Sequence, residues 1–366
     1  MKNILLFAAA SLCCCVSCTQ TTNETVCTTI DLGASIGQTT DAIPLNDLFD
    51  ITQVLPIETT DDFLLSTIRL VGNPGKALVL NESDRLYFVD KATGKLLSKI
   101  DRKGNGPEEY TYIRTASIDN DGNALLYDPE HKMLMKYAPQ GELISSVKND
   151  SIDSVFQLSD GNYAVSYGPL IKSSPGIAIY DKNFKLMRQG LTNEPMKSNF
   201  VLMFNTMFEN EGRCYFQDAP FNDTLFCVTS EKDVPFLVLS SGDYKAPTDL
   251  YQTYDVYKRD CSSYIRNKYG QLAGDKLFIT FTYDEKKYYD VWDMKTSKLL
   301  YRSAIGKDGG VKGIPLQIEG AEVVVWPKLT YGDKIYAEVQ AEEAQAFLPS
   351  ISETDNPVLV ELTLKK

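Results

Sequence analysis

Residues 86–110 read LYFVDKATGKLLSKIDRKGNGPEEY. A run of aromatic and β-branched residues ends in Asp90, a turn at Thr93-Gly94 follows, and a second apolar run leads into a glycine loop. Such runs, bounded by Gly, Asp and Asn, are strand signals. The pair of signals recurs six times. Its first member is a turn before an apolar run: Ser83-Asp84 before LYFVD, Asp121-Gly122 before NALLYD, Asp160-Gly161 before NYAVSY, Glu211-Gly212 before RCYFQD, Gly274-Asp275 before KLFITF and Gly332-Asp333 before KIYAEV. Its second is a polar or glycine turn before another: Gly94 before KLLSKI, Gly141 before ELISSV, Asn183 before FKLM, Asn222-Asp223 before TLFCV, Thr296-Ser297 before KLLYRS and Asp355-Asn356 before PVLVELTL.

From Gly122 the spacing to the next turn glycines is 39, 51, 62 and 58 residues, at Gly161, Gly212, Gly274 and Gly332. A unit of a few short strands cannot bury both its faces and needs a neighbour on each side. Uneven spacing distorts a flat solenoid but becomes loops on a propeller. Six units with room for four strands each predict an all-β chain: one six-bladed β-propeller with four-stranded blades. Val54-Leu55-Pro56-Ile57 is an isolated apolar strand before the first unit, and PVLVELTLK at 357–365 has nothing after it to pair with. Pairing these two closes the ring and removes exposed edges. Pro56 fits an outermost strand, where a missing donor is tolerated.

The chain has 366 residues and a formal charge of −12, and an acidic surface repels nucleic-acid phosphates and anionic lipid headgroups. At the N-terminus Lys2 precedes the apolar stretch Ile4–Leu12, which is too short to span a bilayer. Val16-Ser17-Cys18 then resembles a bacterial lipobox, in which the signal is cleaved before the cysteine and that cysteine is diacylated. The expectation is a signal peptide at 1–17, lipidation at Cys18, a polar tether over 18–42 and the propeller over 43–366. Two or more acyl chains hold stably to a membrane, so membrane contact is expected through the anchor alone. No acidic run follows Cys18, and the expected location is the outer membrane, facing the periplasm.

Downstream of Cys18 the cysteines are Cys27, Cys214, Cys227 and Cys261, with no CxxC pair, and the chain has one histidine. A Cys/His metal site is not expected, and no cofactor is. Cys214 and Cys227 are equidistant from Pro220-Phe221, so a hairpin there either bridges them or leaves two buried thiols.

Val54-Leu55-Pro56-Ile57-Glu58-Thr59, Phe88-Val89-Asp90 with Gly94-Lys95, and above all Ile100-Asp101-Arg102-Lys103-Gly104-Asn105-Gly106-Pro107-Glu108-Glu109-Tyr110 carry a resemblance. The sequence resembles the six-bladed β-propeller lipoproteins of Gram-negative gut-type anaerobes, which are distantly similar to NHL-repeat and TolB-like propellers. The likeness covers about residues 43–366. It implies a fold and an envelope location, and brings no catalytic residues with it.

Gly104, Gly106, Pro107, Glu109 and Tyr110 form either a ligand loop or an inter-blade connector in which Tyr110 packs between blades. The glycines allow positive φ or close backbone approach. Asp90, Asp128 and Asp218 end what read as equivalent strands, and either line a channel, bind a cation through oxygen ligands, or cap the next turn. Residues 241–272 read as an insertion rich in tyrosine. Within it Tyr244, Tyr251, Tyr254, Tyr257 and Tyr264 offer rings for sugar or peptide stacking, or pack the insertion onto the propeller. The expected function is a non-catalytic binding or scaffolding module for a glycan, peptide or protein partner. The alternative is a glycan hydrolase or lyase with paired carboxylates in the funnel.

Overall fold

The computed structural model describes residues 27–366, apart from 42, 73–74, 76, 168–175, 192–197, 201–206 and 218–221. Six small sheets form a six-bladed β-propeller, and few residues are helical. Blade two shows the unit: Thr115–Ile118, Ala124–Asp128, Met133–Tyr137 and Leu143–Lys148 pair antiparallel in chain order. Blade three repeats it from Ser154–Gln157 to Leu186–Gln189, blade four from Met207–Asn210 to Asp233–Ser240, and blade five from Arg266–Ala273 to Lys298–Gly306. In blade one the strands Leu78–Glu82, Arg85–Val89 and Leu96–Ile100 are joined on the inside by residues 69–71. There Val71 N donates to Val79 O at 3.0 Å and Asn81 N to Arg69 O at 2.8 Å. A hairpin, Ile314–Ile318 with Ala321–Val325, lies between blades five and six.

Blade six takes three strands from the C-terminal end, Pro327–Tyr331, Lys334–Val339 and Val358–Leu364, and its outermost strand, Phe49–Pro56, from the N-terminal end. The expected closure is therefore present. Leu55 pairs with Leu359 and Pro56 with Val358, on the outer edge where proline is tolerated.

The second and third strands of each blade are sandwiched between neighbouring blades, so both of their faces are apolar. All of Ala124–Asp128 and Leu86–Val89 are buried, whereas the outer strand Leu143–Lys148 is largely exposed. Six cores result, each shared by two successive blades. Val79, Leu86 and Phe88 of blade one meet Leu126, Met135 and Tyr137 of blade two. The last core closes the circle, with Leu78, Leu80 and Tyr87 of blade one against Leu55, Tyr336 and Leu359 of blade six.

Two boundaries differ from the sequence reading. The stretch 18–42 is not wholly a tether: Thr28–Asp31 lies parallel on Asp233–Ser240 as a fifth strand of blade four, with Ile30 and Leu32 fully buried. Its TTID sequence is too short and polar to signal a strand, and it is held by a ladder and two side chains. The insertion ends before residue 266, because Arg266–Ala273 is the inner strand of blade five. The remainder, 242–263, forms short helices.

Cys214 and Cys227 are free and not opposed. Cys214 pairs with Val228 and Tyr215 with Cys227, a one-residue offset that sends the two thiols to opposite faces. Cys214 joins the core shared with blade three and Cys227 that shared with blade five, so no bridge can form.

Gly94 has φ +73°, and a Cβ there would run into the carbonyl oxygen of Pro56 on the closing strand. Gly94→Ala is expected to cost about 2–3 kcal/mol, from a strained φ and a displaced strand. Urea denaturation checks it, and a change within 0.5 kcal/mol, the range of a neutral surface substitution, would show that the strand moves freely.

Candidate functional site

The inner strands surround a central cavity of about 280 Å³. All six blades line it. Blade one gives Arg69 to Gly72, blade two Arg114 to Ala116, blade three Phe156, blade four Met207 to Glu209, blade five Tyr269 and Gln271, and blade six Lys328 to Thr330.

Its chemistry is divided. Blades six, one and two, which are consecutive, each contribute a cation. Arg69 is exposed, and its guanidinium has no hydrogen-bond or ion-pair partner among the described residues. Arg114 Nη2 lies 2.9 Å from Asp153 Oδ1. Lys328 Nζ lies 2.8 Å from Glu338 Oε2, which also accepts from Thr67 Oγ1 and Ile68 N at 2.8 Å each, tying the rim of blade six to blade one. Blades three to five supply Phe156, Met207, Phe208 and Tyr269, together with the buried polar groups Glu209 and Gln271. Glu209 Oε1 accepts from Gly212 N at 2.5 Å. Burial pushes the Tyr269 hydroxyl pKa up, so the phenol stays neutral at physiological pH.

The sequence-derived candidates lie elsewhere. The 104–110 loop connects blade one to blade two. Tyr110 is fully buried, donates from its hydroxyl to Asp84 O at 2.7 Å, and meets Tyr137 edge-on at 6.2 Å. Burial pushes its pKa up to about 12, so it remains a donor. Glu109 folds back so that Oε2 accepts from Gly106 N at 2.8 Å. Neither Gly104 nor Gly106 has positive φ; a Cβ on Gly104 would displace the Glu109 carboxylate that folds over it. Pro107 precedes Glu108, whose carbonyl accepts from the Tyr137 hydroxyl at 2.9 Å.

Among the tyrosines, Tyr251 is buried and Tyr244 packs on Tyr283 with centroids 4.9 Å apart. Tyr257 sits between Phe200 and Tyr251, under Arg266, and Tyr264 packs partly buried on the same small cluster. Tyr254 presents an exposed ring. None of these five lines the cavity, while Tyr269, in the same sequence stretch, does.

Asp90 caps its own turn through Ala92 N and Thr93 N at 2.9 and 2.8 Å. Asp128 is buried and holds Thr111, Glu130 N and the single histidine, His131, whose Nδ1 is 2.9 Å away. Asp90 ends a third strand and Asp128 a second, so they are not equivalent; Asp218 lies outside the described residues, as does Cys18. Gly33-Ala34-Ser35-Ile36-Gly37 has the GxSxG spacing of a nucleophile elbow. Ser35 is nevertheless buried, donates to Leu32 O at 2.7 Å and accepts from Arg302, so its hydroxyl is structural. Among the described residues no cluster of three or more His, Cys, Asp or Glu is placed to hold a metal, and no helix is long and apolar enough to cross a membrane.

Comparison with known proteins agrees with this fold. The crystal structure of a Bacteroides fragilis NCTC 9343 protein named for its expected export superposes with a TM-score of 0.71 at 19% identity, covering 93% of this chain and all of the other. A Bacteroides vulgatus member of the DUF4221 family superposes with a TM-score of 0.56 at 12% identity, covering 87% of this chain and 98% of that one. At these identities the likeness is one of fold. No curated protein matches the sequence. A family defined only as a domain of unknown function, DUF4934, matches residues 27–363, and the chain belongs to that family.

Proposed function

We propose that this protein is a non-catalytic binding module of the cell envelope that seats its ligand in the central cavity. The observation carrying this reading is that all six inner strands meet at one cavity lined by cations, aromatic rings and buried polar groups. At about 280 Å³ it is at the small end of ligand pockets, matching one sugar ring or one peptide side chain better than a protein face. Glu209 is the carboxylate among the described lining residues, whereas carboxylate glycoside hydrolysis works with two. Binding therefore stands ahead of hydrolysis. Lipidation at Cys18 and an outer-membrane location facing the periplasm belong to the same reading. They are supported by Val16-Ser17-Cys18 and by the export implied in the name of the Bacteroides fragilis neighbour.

The test is a thermal-shift survey of the chain lacking residues 1–18 against oligosaccharides and short peptides, beside Ala116→Trp, which fills the cavity. A ligand at 100 times its Kd stabilises the fold by about 2.7 kcal/mol. The expected result is a shift in the native protein that is absent in Ala116→Trp. A ligand that shifts both equally would place binding elsewhere.

A further inference from the structure

We infer that the cavity recognises an acidic sugar unit, a pyranose carrying a carboxylate; this rests on the cavity being the binding site. The first argument is electrostatic. The chain carries −12 overall, yet the rim formed by blades six, one and two presents Lys328, Arg69 and Arg114. Two of these are already paired, with Glu338 and Asp153. Arg69 has no such partner among the described residues, which leaves a planar fork of donors at the mouth. A guanidinium of this kind matches a carboxylate in two parallel hydrogen bonds.

The second argument is the opposite wall. Phe156, Phe208 and Tyr269 bring aromatic carbon to this wall, Phe208 with one ring face already stacked on Tyr215 at 5.0 Å, and a compact, partly apolar ring can lie against them. Among them stands Glu209, a carboxylate that only accepts hydrogen bonds when ionised. A ligand reaching that wall must bring donors there and keep its own negative charge away. An unsubstituted aromatic carboxylate has no donors to bring, and an acidic peptide side chain has no ring. An acidic pyranose has a carboxylate at one end for Arg69, hydroxyl donors for Glu209, and faces for the aromatic wall. Thr330 and Gln271 add hydrogen-bonding groups between the two.

The experiment is titration calorimetry of the chain lacking residues 1–18 with a glucuronic-acid tetrasaccharide, a glucose tetrasaccharide and a tetra-aspartate peptide, at 20 and 300 mM NaCl. The acidic sugar is expected to bind more tightly than both others and to weaken at the higher salt. Arg69→Met should weaken it at least about ten-fold and leave the melting temperature unchanged, since Arg69 is exposed. Arg69→Glu should abolish binding, and provides the readout should Ala116→Trp not fold. Equal affinity for the neutral sugar, with Arg69→Met silent and Ala116→Trp inactive, would overturn the acidic class and leave the cavity as the site. Binding that survives Ala116→Trp would overturn the site itself. Preference for tetra-aspartate, or no binding of either sugar at millimolar concentration, would also overturn the proposal.

Discussion

A chain that starts at Glu58 is expected to aggregate or to lose its cooperative melting transition. It lacks Phe49–Pro56, which pairs along Val358–Leu364 and completes blade six. Leu45, Phe49 and Leu55 go with it, all buried. At roughly 1.5–3 kcal/mol for each fully buried side chain, these three account for about 5–9 kcal/mol. That is comparable to the whole stability of a typical domain, about 5–15 kcal/mol. The loss also bares the edge of Val358–Leu364 and opens the core between blades six and one, and an apolar open edge invites pairing between chains. A chain starting at Ile43 separates the two N-terminal strands, because it loses Thr28–Asp31 but retains the closing strand. It is expected to melt cooperatively, at a lower temperature. Circular dichroism melting with size-exclusion chromatography reads both. An unchanged transition in the chain starting at Glu58 would mean that the ring does not depend on this strand.

The ring was legible because of where its middle strands sit. A strand covered on both faces must be apolar at nearly every position, and LYFV, ALLY, YAVS and KLFITF stand out for that reason. The same cause blurs the position within each unit. LYFVD is a third strand and NALLYD a second, yet both are equally buried, so Asp90 and Asp128 read alike. The site was largely illegible. Inner strands border the central cavity and carry mixed residues such as Thr115–Ile118 or residues 69–71, which give weak strand signals. Arg69, Arg114, Tyr269 and Lys328 come from four blades, and only ring geometry brings them together. The cysteine pair shows a different limit. Symmetry about a turn sets register to within a residue, and one residue reverses the face.

Arg302→Ala is expected to cost about 3–5 kcal/mol, the usual penalty for removing one partner of a buried ion pair. The Arg302 guanidinium donates through Nε to Asp290 Oδ1 at 2.8 Å and through Nη2 to Oδ2 at 2.5 Å. It also donates to Ser35 O and Ser35 Oγ, at 2.5 and 2.8 Å, and lies over the rings of Phe281 and Tyr288. It thus fastens the N-terminal segment, already laid on blade four, to the outer side of blade five. Asp290 is completely buried, and burial pushes its carboxyl pKa up against the pull of Arg302. Without Arg302 the buried carboxylate loses its counter-charge and keeps the Trp292 Nε1 hydrogen bond at 3.2 Å, so its charged form is disfavoured in the fold. A carboxyl whose folded pKa is raised contributes stability at low pH and loses it as pH rises through that pKa. The deficit of Arg302→Ala should therefore be largest at neutral pH and narrow as the solution is made mildly acidic. Arg302→Met combined with Asp290→Leu removes both charges while retaining volume, and should cost less than half as much as Arg302→Ala alone. Urea denaturation of Arg302→Met, Asp290→Leu and their double variant, beside Arg302→Ala, at pH 7 and 5 measures the coupling. Additive costs that do not change with pH would show that the pair contributes packing, and that the N-terminal segment is held by its strand alone.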